Sequence, residues 1–109
     1  RSHELAALWE EKAAASNSAV DWFNAGYYFS EINKDFDASI TCYDKAIEIN
    51  PRNAFAWSNK GHSLNNLGRY DEAINHLDKA VEIDPQLADA WNNKGISLDN
   101  LGRYGEAIN

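Results

Sequence analysis

Residues 54–75, AFAWSNKGHSLNNLGRYDEAIN, return at 88–109 as ADAWNNKGISLDNLGRYGEAIN, with 17 of 22 positions identical at an offset of 34 residues. Chance does not supply such a match in a chain of 109 residues. A fixed period of this length means stacked copies of one supersecondary unit, each burying its apolar face against the next. A weaker copy lies upstream: Trp22 and Gly26 precede Trp57 and Gly61 by 35 residues, whereas Phe36, Ala46 and Pro51 precede Tyr70, Ala80 and Pro85 by 34. One residue is therefore extra in the first copy. It is expected in Asn33-Lys34-Asp35, where the later copies have Gly68-Arg69 and Gly102-Arg103, because a turn absorbs an insertion more readily than a helix.

Within each copy the apolar residues recur at helical spacing, first as Trp57, Gly61, Leu64 and Leu67, then as Ala73, Leu77, Ala80 and Ile83. Each copy is thus predicted to be two helices. Gly68 stands where the first should stop, Asp71 and Glu72 put acid in the first turn of the second, and Pro85 follows its end. The pattern predicts helices at about 4–15, 19–32, 36–49, 54–67, 71–83 and 88–101, with another beginning near 105.

Composition narrows the function classes. The net charge is −7, spread as five basic against nine acidic residues in 1–53 and five against eight in 54–109. Such a balance argues against gripping a phosphate backbone, so no nucleic acid is expected. The longest uninterrupted apolar run is five residues, Leu5-Ala6-Ala7-Leu8-Trp9, which excludes a helical membrane span. Cys42 is the single cysteine and cannot form an internal disulfide, and no glycosylation acceptor occurs, so a cytoplasmic setting is the default. Arg1-Ser2 has the look of a cloning remnant and is left out of fold reasoning.

A 34-residue helix–turn–helix unit with Trp, Gly four later, then Ala, a large residue and a closing Pro resembles the tetratricopeptide repeat. The residues that carry the resemblance are Trp57, Gly61, Ala73, Leu77, Ala80 and Pro85; Trp91, Gly95 and Ala107; and Trp22, Gly26, Tyr43, Ala46 and Pro51. Lys60 and Lys94 before the Gly, Leu64 and Leu98 after it, and Ser39 depart from the family's usual choices without removing its packing logic. The resemblance implies an all-α fold: an α-α superhelix, a right-handed solenoid of antiparallel helix pairs. It further implies a non-catalytic protein-interaction module whose first helices line a concave, peptide-binding groove. The expected organisation is a linker or cap helix at 1–18, repeat 1 at 19–53, repeat 2 at 54–87, and repeat 3 at 88–109, truncated in its second helix.

The near-identical copies differ at 55, 58, 62, 65 and 71, and the first four positions share one face of a helix. Phe55, Ser58, His62 and Asn65 stand opposite Asp89, Asn92, Ile96 and Asp99, with Val20, Phe23, Tyr27 and Ser30 in the first copy. A face that exchanges an aromatic for an acid is not expected to be a packing face, since burying an unpaired carboxylate is costly. In the family this stripe points into the groove. Its apolar beginning and acidic end suit a protein or peptide segment with apolar anchors and a basic residue. Asn24, Asn59 and Asn93 follow the stripe by one position; each either holds a peptide backbone or bonds the neighbouring helix. No basic residue lies on the stripe, so a clamp for a C-terminal carboxylate is not expected, and Lys60 and Lys94 turn away from it.

Other chemistry finds no footing. His3, His62 and His76 lack ligand-spaced partners, so no metal is expected; His62 either confers pH sensitivity or is a polar groove residue. Cys42 has no neighbouring base, the acidic pairs belong to helix starts, and the glycines are not spaced for phosphate. No enzyme activity and no cofactor are expected. The ends suggest a second function, end-to-end association of copies into a homo-oligomer. Apolar surface is expected around Trp91, Leu98 and Leu101, and along an Ala-rich first helix bearing Leu5, Leu8 and Trp9, itself a native cap, an upstream remnant or a fused helix.

Overall fold

The computed structural model of the chain describes residues 2–102, and these form six α-helices and no strand. They fall into two compact units that divide between Arg52 and Asn53. The helix expected near 105 lies outside the described residues.

The first unit contains α1 (Ser2–Ser16), α2 (Ala19–Tyr27), which runs on as a π-helical turn over Tyr28–Ile32, and α3 (Phe36–Ile49). Polar side chains start two of these helices by accepting from backbone N–H groups that the first turn leaves unpaired: Ser18 from Asp21, and Asp35 from Ala38 at 3.1 Å. Ala13, Trp22, Ala25, Cys42 and Ala46 make the core, with Trp9, Phe23 and Phe29 packed against it. Gly26 is the point of closest approach between α2 and α3: a Cβ there would stand 2.7 Å from Cε1 of the buried Tyr43 ring. Only a residue without a side chain lets that ring in.

The second unit contains α4 (Ala54–Asn66), α5 (Tyr70–Ile83) and α6 (Ala88–Asn100). Asn53 caps α4 by accepting from the N–H groups of Phe55 and Ala56. Gly68 ends it at φ 76°, a left-handed conformation that glycine adopts without steric cost. Arg69 and Glu72 then form a two-pronged ion pair at 3.0 and 2.6 Å across the first turn of α5. That contact holds the Glu72 carboxyl below its usual range. Gly61 repeats the role of Gly26: an added Cβ would meet Leu77 Cγ at 2.5 Å, and Leu77 is fully buried. Filling that hole with a leucine contributes about 2 kcal/mol of apolar burial. α6 packs on both α5 and α4.

One expectation is corrected. The extra residue of the first copy is not in the turn at 33–35. Lys34 takes the left-handed conformation at φ 56° where the next copies have Gly68 and Gly102, so this turn aligns with the later ones at an offset of 34. The surplus sits inside the helix instead. Asn33 N–H donates to Tyr28 O, five residues back, whereas Leu67 donates to Ser63 O, four back. A π-turn widens the helix by one residue and leaves both flanks helical.

Candidate functional site

The stripe read from the sequence divides, in the second unit, into an exposed and a buried half. Phe55 is 53% exposed on α4 and His62 is half-buried. Ser58 and Asn65 are corrected: both are buried, because α6 lies across them. Asn65 donates from Nδ2 to Asn93 O at 3.0 Å and accepts from Ser97 Oγ at 2.6 Å, so both ends of its amide are used to join α6 to α4. Asn93 donates to Ser58 Oγ at 3.4 Å, which answers its open question in favour of bonding the neighbouring helix. Their counterparts in the next copy, Asn92 and Asp99, are exposed, with no covering helix among the described residues. Asp89, Asn92, Ile96 and Asp99 all face solvent along α6.

Between α4 and α6 an open cleft of about 290 Å³ is lined by His62, Asn65, Asn66, Tyr70, Ile96 and Asn100. His62, Asn65 and Ile96 belong to the expected stripe; Asn66, Tyr70 and Asn100 were not foreseen. Asn66 and Asn100 are identical in the two copies, so a search for differences passes over them. Their signal was available in the helix register, since Asn66 stands one turn beyond His62 on the same face.

In the first unit the counterpart face is apolar. Val20 and Tyr27 are exposed, at 67% and 48%. Phe23 is corrected to a half-buried packing residue: its ring lies 5.7 Å from that of Tyr43 and it leans on the core. Ser30 is buried and shares a hydrogen bond with Tyr43 OH at 3.3 Å. Asn24 and Asn59 are half-buried, and neither amide has a hydrogen-bond partner among the described residues.

The remaining candidates take structural places. Cys42 is fully buried, and desolvation, helped by the charges of Glu10 and Asp35, pushes its thiol up to about 12. Lys94 turns from the stripe as expected: its ammonium pairs with Asp78 at 2.7 Å and lies 5.7 Å from the Trp91 ring centroid. Among the described residues no group of three His, Cys, Asp or Glu side chains is arranged to hold a metal. No described helix is long and apolar enough to cross a membrane. Trp91 and Leu101 are exposed as expected, whereas Leu98 is corrected to buried, at 3%.

Profiles of the tetratricopeptide repeat match residues 54–87 and 76–109, and a third profile, the TPR repeat, matches 32–68. The chain belongs to the tetratricopeptide-repeat family. Its fold class is all-α, the α-α superhelix class of antiparallel helix pairs. No curated protein matches the sequence. Among solved structures, a crystal structure of MamA protein superposes with a TM-score of 0.88 at 22% identity, over 98% of this chain and 58% of that one. A second MamA structure, from MSR-1, gives 0.84 at 26% identity over 98% and 62%. The first TPR of Spaghetti (RPAP3), solved bound to HSP90 peptide SRMEEVD, gives 0.79 at 21% identity over 82% and 72%. The chain spans about three fifths of the length of the MamA chains it matches.

Proposed function

We propose that this chain is a non-catalytic protein-interaction module, cytoplasmic in setting, that binds a peptide or protein segment on the faces presented by α2, α4 and α6. Its repeats are read as 19–53, 54–87 and a third beginning at 88. The observation that carries the reading is the exposure of Val20 and Tyr27 in the first unit, and of Phe55, Asp89, Asn92, Ile96 and Asp99 in the second, on helices whose other faces are packed. Uncovered large apolar side chains together with uncovered carboxylates suit a segment with apolar anchors and a basic residue. Asn24 and Asn59 add amides able to hold a peptide backbone. A related fold with a bound peptide, the RPAP3 domain, supports the class of ligand and not its sequence.

Panning a displayed random-peptide library on the 109-residue protein tests this. Enriched peptides should carry an aromatic or aliphatic anchor and a basic residue, and Tyr27→Ala and Phe55→Ala should each weaken capture about tenfold while circular dichroism is unchanged. Equal capture by both variants would remove the reading. Phe23 is unsuited to the test because its truncation opens the core.

A second reading, self-association, is favoured by one observation in each unit. Leu5 and Leu8 are 48% and 58% exposed on α1, and Trp91 is 49% exposed on α6.

A further inference from the structure

The cleft between α4 and α6 has a chemical polarity that the differences between copies do not show. Asn66 Nδ2 donates to His62 O at 2.9 Å, and Asn100 Nδ2 donates to Ile96 O at 2.8 Å. A backbone carbonyl only accepts, so these bonds fix which end of each amide is nitrogen. The two Oδ1 atoms are left as acceptors without a partner among the described residues. Asn66 Nδ2 also lies 3.3 Å from His62 Nε2. Asn65 is committed to α6 through one N–H and its Oδ1. The cleft therefore presents two free amide oxygens, Asn66 Oδ1 and Asn100 Oδ1, beside the Tyr70 hydroxyl. A phenol ring, Tyr70, and an aliphatic side chain, Ile96, complete its walls.

Its surroundings carry the same sign. The lining residues Asn100 and Tyr70 are each next in sequence to an exposed carboxylate, Asp99 and Asp71; Arg69, on the other side of Tyr70, is paired with Glu72, and among the described residues no lysine or arginine lines the cleft. A ligand group that belongs here is cationic, has several N–H donors and is flat enough to lie against an aromatic ring. A guanidinium meets all three requirements; an ammonium meets only the first two and is more strongly hydrated. We infer that this cleft is a subsite for an arginine side chain of the bound segment, its N–H groups donating to Asn66 Oδ1 and Asn100 Oδ1, its plane on Tyr70 and its methylenes on Ile96. The inference rests on the peptide-binding reading and gives that reading's basic residue a seat.

The test uses capped amino acids as probes, followed by the amide resonances of the 109-residue protein. N-acetyl-arginine-N-methylamide should shift the side-chain amides of Asn66 and Asn100. The neutral isostere, N-acetyl-citrulline-N-methylamide, should bind at least tenfold more weakly, since hydrogen bonds to a charged group are the stronger ones. Asn100→Leu, at an exposed position, should reduce arginine binding about tenfold, and Asn100→Asp should raise it. Equal shifts from citrulline or from the lysine probe, or indifference to Asn100→Leu, would overturn the assignment. The outcome is separable from the panning result: Tyr27 and Phe55 do not line this cleft, so their effect on capture survives a failed arginine test.

Discussion

Three glycines hold the same place in the repeat and differ in what they face. Over Gly26 lies the Tyr43 ring, over Gly61 lies Leu77, and within 4 Å of a Cβ built on Gly95 there is nothing among the described residues. Gly61→Ala and Gly26→Ala force a buried side chain aside and should cost about 1–3 kcal/mol each. Gly95→Ala meets no such obstacle and removes a flexible residue from a helix interior, so it should be neutral or stabilise by about 0.5–1 kcal/mol. Urea denaturation of the three variants checks the contrast; a Gly95→Ala protein as unstable as Gly61→Ala would show that the two crevices are filled alike. The glycine positions were legible from the period alone. Their differing neighbours were not, because a sequence period registers the position and not what has come to lie on it.

At the scale of elements, helix starts and stops followed local chemistry closely. Ser18, Asp35 and Asn53 cap where acceptors were needed, and Gly68 turns the chain where a side chain would be strained. The π-turn at Tyr28–Ile32 escaped notice because an extra residue leaves the same count on either side wherever it is inserted. Aligning Lys34 with Gly68 through their left-handed backbones resolves the ambiguity. Deleting Glu31 should therefore restore an ordinary α-helical turn with little loss of helicity. Deleting Lys34 should instead remove the left-handed link between helices and lower the midpoint of thermal unfolding by several degrees, for a loss of about 1–2 kcal/mol. Circular dichroism melts decide the matter, and the reverse ranking would return the insertion to the turn. Ser58 and Asn65 were misread at this scale as well: serine and asparagine are small and polar enough to pass for surface, and only the arrival of α6 buries them.

For the molecule as a whole, stability in a repeat protein is a sum of unit and neighbour terms, so uncovered faces matter to association as much as to folding. Leu8 on α1 and Trp91 on α6 are exposed apolar side chains that a second copy would cover. If copies associate through them, sedimentation equilibrium should give an apparent mass that rises with concentration above 12.2 kDa, and Leu8→Glu or Trp91→Glu should hold it there. A wild-type mass constant into the high micromolar range would reject self-association. The charge of −7 bears on either function, since it keeps copies apart at low salt and draws basic segments in.

The amide of Asn65 has a further consequence for how such a chain can evolve. It asks its neighbour for a carbonyl at Asn93 and a hydroxyl at Ser97, and a carboxylate in its place would offer the carbonyl only repulsion. Asp99, the residue at that position one period later, answers to no such demand among the described residues. Copies that differ by five letters are therefore not interchangeable parts: a duplication that put the third where the second stands would carry the wrong address, and the error would surface at the seam between them.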